Sequence, residues 1–197
     1  MLPLPFVGLV YAIVFWSAYT IWIILEMTGS VRKRLRDQST SRDQGSYTVI
    51  IAVLWISIAL DFALSGIVRG AAIQWERIPL FYIGVALMLA GLAFRFYAMG
   101  VLGRFFTYRV GVQTDHVVVQ SGPYRYIRHP SYTGALITLA GLGLALGNWL
   151  GLLALLGCMS IAYGYRIKVE EAALATALGE PYKQYMLRTR RLVPFLF

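Results

Sequence analysis

An all-helical, polytopic membrane protein of about five spans is predicted by three observations. Hydrophobic residues make up 58% of the chain and charged residues 14%, and the mean hydropathy is +0.64. That is too apolar for an ordinary soluble domain. The apolar residues are gathered into five long runs, and the basic residues collect in alternate connections between them, as they do in membrane proteins. A chain of 197 residues has room for about four to six spans and little else. One membrane domain over 1–197 is therefore expected. Residues 1–99 hold its first three spans and 100–197 its last two, with polar helices at the end.

The first run, Leu4 to Met27, lacks the basic start of a signal peptide and is too long for one, so it reads as a retained span. Arg32, Lys33, Arg34, Arg36 and Arg42 follow it. Such a loop stays in the cytoplasm, which places the N-terminus outside. Tyr47 to Val68 is the second run, interrupted by Asp61. A carboxylate at membrane depth is costly, so Asp61 is either functional or bonded locally, to Ser57, Ser65 or Arg69. Ile78 to Met99 is the third run, ending near Arg95. The polar segment Gly100 to His129 is then cytoplasmic if the spans alternate.

Ser131 to Leu146 and Trp149 to Tyr165 are separated only by Gly147 and Asn148, which predicts a tight helical hairpin. Gly134, Gly141, Gly143, Gly151 and Gly157 would let these two spans approach closely. From Arg166 the chain turns polar but stays helical through Leu178. Gly179 ends that helix, and Glu180-Pro181 starts another turn. Of 18 Lys and Arg residues, only Arg69 and Arg77 fall on the predicted outer side, so the C-terminus is expected in the cytoplasm.

The net charge of +9 follows this topology and forms no soluble basic patch, so no nucleic-acid partner is expected. Cys158 lies in an apolar run and reads as a packing residue. Two histidines and one distant cysteine supply too few ligands for a catalytic zinc site, so no metal is expected. A P-loop, a GxGxxG after a strand, an HExxH and a nucleophile elbow are all missing from the sequence.

The richest stretch for chemistry is Ser121 to Gly134, SGPYRYIRHPSYTG. Each residue alone has a local explanation. Gly122-Pro123 is a turn, Pro130 suits the first position of a helix, and the arginines can snorkel to lipid phosphate. The hairpin, however, sets this stretch beside the polar exit of the fifth span, so Tyr124, His129 and Tyr132 should approach Arg166 and Glu170. Arg166 and Glu170 are four residues apart on one helix face. Together these groups describe a pocket where a charged small molecule meets an apolar one. Taken as ordinary interfacial residues, they would be an ion pair closing a span.

Several motifs resemble the isoprenylcysteine carboxyl methyltransferase family. They are LGRFFT at 102–107, His116-Val117-Val118-Val119, Ser121 to Tyr124, Arg128 to Gly134, Glu170-Glu171, and GEPYKQY at 179–185. The likeness covers about residues 100–194, and the chain is similar to compact prokaryotic members. The resemblance implies a membrane enzyme with S-adenosylmethionine in a cytoplasmic pocket, methylating the carboxylate of a prenylated cysteine or similar lipophilic acceptor that arrives from the bilayer. Carried over, the cofactor contacts are His116, Val117, Val118, Val119, Tyr124, His129, Pro130, Ser131, Tyr132 and Glu170. Arg166 is the catalytic residue that holds the substrate carboxylate. Eukaryotic members have a glutamine where this chain has Arg109, so Arg109 is assigned no contact.

A carboxylate acceptor is already ionised and needs no general base. A phospholipid amine or a thiol would need a proton route, with His129 or Glu171 the candidates. Two other readings stay open on sequence alone. One is a non-catalytic protein whose basic face binds membrane lipid. The other is a reductase using a nicotinamide cofactor, because sterol reductases look similar over the C-terminal half.

Overall fold

The computed structural model describes residues 2–36, 40–41, 45–108, 111–112, 115 and 117–193. All five predicted spans form as helices: α1 (Leu9–Arg36), α2 (Ser46–Ile67), α3 (Arg77–Leu102), α4 (Pro130–Leu146) and α5 (Trp149–Leu178), followed by the short α6 (Glu180–Arg188). A two-residue antiparallel pair, β1 (Thr40–Ser41) with β2 (Gly111–Val112), joins the two long connections and leaves the architecture helical. Prolines at positions 3 and 5 favour a 3-10 turn over Leu4–Phe6, so α1 starts later than the apolar run does.

Helices α1, α2, α3 and α5 are long and apolar enough to cross a membrane. Helix α4 is apolar but has 17 residues, about 25 Å at 1.5 Å per residue, short of a hydrocarbon core about 30 Å thick. Most of α4 is buried among its neighbours, so protein rather than lipid covers its ends. The helices facing outward carry exposed Leu9, Ile13, Ile24, Ile56, Ile67, Leu153 and Ile161, the surface expected of a chain solvated by acyl tails. Inside, Phe15, Phe81, Met88, Leu139, Leu142, Leu155 and Met159 form the core.

The glycines correct one expectation. Gly134 and Gly141 of α4 pack on α3, not on α5. A Cβ at Gly91 of α3 would lie 2.7 Å from the Gly134 carbonyl oxygen, and one at Gly84 would lie 2.7 Å from that of Gly141. The two helices thus meet backbone to backbone at sites seven residues apart on each. Gly143 does face α5, at Leu152, while Gly151 faces Asp61 of α2 and Gly157 has nothing within 4 Å. A short hairpin makes α4 and α5 neighbours, but the closest approach goes where small residues stand opposite each other on both helices. Gly91→Ala should therefore destabilise the fold by about 1–3 kcal/mol, and Gly157→Ala by much less. Melting curves in detergent check this.

The hairpin is fixed by Asn148, which is 1% exposed. Its Oδ1 caps α5 by accepting from Leu150 N (3.0 Å) and Gly151 N (3.1 Å). Its amide donates to the Leu64 and Val68 carbonyls at the end of α2, at 3.3 and 3.0 Å. Asp61 accepts from Ser65 at 3.4 Å, lies against Gly151 of α5 and lines neither of the cavities described below.

Candidate active site

The site is built where α4 begins and α5 turns polar. Pro130 presets the first turn of α4 and lacks the N–H that a helix start would leave unbonded. That places His129 at the N-cap and Tyr132 one turn in, facing α5. The preceding GPYR turn (Gly122–Arg125) turns Tyr124 inward, where its carbonyl accepts from the Tyr185 hydroxyl of α6 at 2.7 Å. Gly179, at φ 63°, breaks α5 so that α6 folds back over the same region.

These elements enclose a cleft of about 760 Å³, counting the space open to its surroundings. Its lining is mixed: the Arg128, His129, Arg166 and Glu170 side chains, for which it is termed the polar cleft, stand among leucine, valine and phenylalanine. Of the predicted cofactor residues, Val118, Val119, Tyr124, His129, Ser131, Tyr132 and Glu170 line it, as does Arg166. Val117 is exposed and Pro130 is buried in the α4 turn, and neither lines the cleft. His116 and Arg109 lie outside the described residues. Tyr182, Tyr185, Leu174, Leu178 and Arg128 also line it. Burial pushes the Tyr124, Tyr182 and Tyr185 phenols up, with the Glu170 carboxylate adding to the effect at Tyr124 and Tyr182. All three are therefore neutral hydroxyl donors at physiological pH.

A second, larger and mainly apolar cavity of about 1190 Å³, on the same measure, opens between α1, α2, α4 and α5. Trp22, Ile50, Leu54, Trp55 and Leu139 line its apolar part. Its charged lining residues are Glu26, Arg95 and Arg166. The two spaces share one wall, formed by Phe106, Thr107, Tyr132 and Arg166.

A hydrogen-bonded chain runs along that wall. Arg166 Nε donates to the Tyr132 hydroxyl at 3.2 Å, which donates to Glu170 Oε2 at 2.6 Å. The predicted relation of Arg166 to Glu170 is thus carried through a tyrosine. The Tyr132 ring is stacked between His129 (5.5 Å between ring centres) and Tyr163 (4.9 Å), so its hydroxyl has little freedom to turn. Arg166 also donates to Ser46 Oγ and to the Tyr108 carbonyl, both at 2.6 Å.

Sequence reasoning missed two ion-pair groups. Arg95 bonds the Glu26 carboxylate of α1 through both Nε and Nη2, and donates from Nη1 to the Ser131 carbonyl at 3.0 Å. The same cost argument that singled out Asp61 applies to a charge in the third apolar run, so Arg95 had a readable signal. Glu171 accepts from Arg128 Nε at 2.8 Å and from Arg191 Nε at 3.2 Å, and lies 3.4 Å from His129 Nε2. Bound to these groups and lining neither cavity, Glu171 is not placed to serve as a general base. The Ser46 and Tyr108 contacts to Arg166 had no local signal at all.

Together the fold and the site define a polytopic helical membrane protein with a polar cleft and an apolar cavity joined at one wall. Residues 84–176 match the model of the isoprenylcysteine carboxyl methyltransferase (ICMT) family, which the chain resembles over that region. It is 31% identical over 117 residues to a probable protein-S-isoprenylcysteine O-methyltransferase of Oryza sativa subsp. indica, covering 58% of this chain and 61% of the rice protein. It is 35% identical over 82 residues to the protein-S-isoprenylcysteine O-methyltransferase of Schizosaccharomyces pombe, covering 42% and 35%. Among solved structures it resembles the eukaryotic intramembrane Ras methyltransferase ICMT, with a TM-score of 0.57 at 27% identity, covering 78% of this chain and 53% of that one. The chain therefore spans less than two thirds of the length of these relatives.

Proposed function

We propose that the protein is a membrane methyltransferase that uses S-adenosylmethionine and esterifies the carboxylate of a lipophilic acceptor, of which an isoprenylcysteine is the model. The observation that carries this reading is the shared wall, where a polar cleft and an apolar cavity meet at Tyr132 and Arg166. The polar cleft suits the cofactor. Glu170 is an acceptor for hydroxyl or ammonium groups, Tyr124 and Tyr182 offer hydroxyls, the tyrosine rings offer flat faces, and Leu174 and Leu178 offer apolar contact. When bound there, S-adenosylmethionine supplies an electrophilic methyl group on sulfur.

The rest of the work falls to this chain's own side chains. Arg166 aligns the acceptor carboxylate, Tyr132 holds Arg166 and Glu170 in fixed relation, and the apolar cavity keeps the lipid tail out of water. Positioning of this kind supplies much of the acceleration in a displacement that needs no general base. Two arginines against one glutamate leave the acceptor cavity net positive, which favours a carboxylate over a lipid ammonium. The basic end of α1 and the basic C-terminal segment support a site on the cytoplasmic side, with the N-terminus outside.

Calorimetry with S-adenosylhomocysteine on detergent-purified protein tests the cofactor assignment. Saturable binding that Glu170→Ala abolishes is the expected result, and a folded wild type that does not bind would overturn it. The acceptor class is read from the pH profile of methyl transfer. A carboxylate acceptor gives a rate that is flat above about pH 6, whereas an amine or thiol gives one that rises with pH.

A further inference from the structure

We infer that Ser46 is a positioning residue for methyl transfer, its hydroxyl setting the orientation of the Arg166 guanidinium from the neighbouring helix α2. This rests on the reading of Arg166 as the group that meets the acceptor carboxylate. Ser46 is the first residue of α2, is fully buried, and lies 120 positions from Arg166 in sequence, outside the 84–176 family match.

Arg166 is 3% exposed, and each of its three guanidinium nitrogens is held by a different element. Tyr132 of α4 takes Nε, Ser46 of α2 takes Nη1, and the Tyr108 carbonyl of the α3–α4 connection takes Nη2. A planar fork fixed at all three nitrogens presents one orientation to an incoming carboxylate, and bidentate recognition depends on that orientation. Tyr132 and Tyr108 also line the acceptor cavity, so each can touch a ligand directly. Ser46 lines neither cavity, so its effect on a ligand passes through Arg166.

The helix register explains why the hydroxyl stands in the right place. Leu64, Asp61 and Ser46 of α2 face Asn148, Gly151 and Arg166 of α5. The steps between these contacts, 3 residues and then 15, are the same on both helices. The two helices therefore run antiparallel in one unbroken register from the Asn148 clamp to the guanidinium. Gly151 allows that approach, because a Cβ there would collide with the Asp61 carboxylate.

The test compares wild type, Ser46→Ala and Ser46→Thr, with an S-prenylated N-acylcysteine as acceptor and S-adenosylhomocysteine binding as the control. Ser46→Ala should lower kcat/KM for the acceptor by about 10- to 100-fold, mainly through KM, because a hydrogen bond to a charged group is lost. Homocysteine-cofactor affinity should stay within about twofold, since the register of α2 and α5 keeps its other contacts. Ser46→Thr, which retains the hydroxyl, should restore most of the activity. An alanine variant as active as wild type overturns the inference, and so does one that loses cofactor binding in parallel with turnover, because that marks a structural role. A wild type that binds S-adenosylhomocysteine but methylates no lipophilic carboxylate overturns the acceptor reading itself, and the Ser46 assignment with it.

Discussion

Arg166→Lys should lower methyl transfer about 100-fold while leaving S-adenosylhomocysteine affinity nearly unchanged, since a small misplacement of a reacting group costs that much. Lysine keeps the charge, so long-range attraction of an anionic acceptor survives. What it loses is the planar fork that Ser46, Tyr132 and the Tyr108 carbonyl hold in place. A single ammonium cannot reach all three and still align two carboxylate oxygens. The expected signature in steady-state kinetics is a raised acceptor KM with a reduced kcat. A lysine variant with wild-type kinetics would show that charge alone suffices, and the positioning argument would fail.

The largest stability effect is expected at Glu171. Its carboxylate is the shared partner of Arg128 and Arg191, and the Arg128–Glu171 pair is almost fully buried, with side-chain exposures of 8% and 6%. Arg128 additionally donates to the Met186 and Thr189 carbonyls, and Arg128 N and His129 N donate to the Arg190 and Arg191 carbonyls at 2.7 and 3.0 Å. The network thus ties the segment after α6 to the start of α4, at the wall of the polar cleft that Arg128 and His129 line. Removing Glu171 leaves the buried Arg128 cation without its carboxylate, at a cost of about 3–5 kcal/mol. Glu171→Ala should therefore lower the melting temperature in detergent by about 10 °C. It should also weaken S-adenosylhomocysteine binding, because Tyr182 and Tyr185 would lose their seat. A variant that melts with wild type would remove this network from the account of the fold.

The sequence made the local features readable. Apolar length located α2 and α3 to within a few residues, with Ser46–Ile67 and Arg77–Leu102 observed against expected runs from Tyr47 and Ile78. Gly147-Asn148, Gly179 and Pro181 marked helix ends because their conformational limits act within a turn of where they stand. The meeting of Tyr132, His129, Arg166 and Glu170 was also legible, since a two-residue hairpin leaves the inner ends of α4 and α5 nowhere to go but side by side. The partners of Arg95, Glu171 and Arg166 were not. Those pairs bridge 69, 43 and 120 residues, and which carboxylate or hydroxyl is met depends on which helix faces pack. For the same reason glycine counting found the small residues of α4 but assigned two of them to the wrong neighbour.

The glycine contact between α3 and α4 also acts as a seal. With Gly84 and Gly91 laid directly on Gly141 and Gly134, the gap between those helices is too narrow for an acyl chain or a file of water. A molecule dissolved in the bilayer is thus barred from one flank of the bundle. On the α1–α2 side, by contrast, Met27 of α1 and Trp55 of α2 both line the apolar cavity and are exposed, at 61% and 47%. Four positions without side chains thereby close one flank of the bundle to the bilayer.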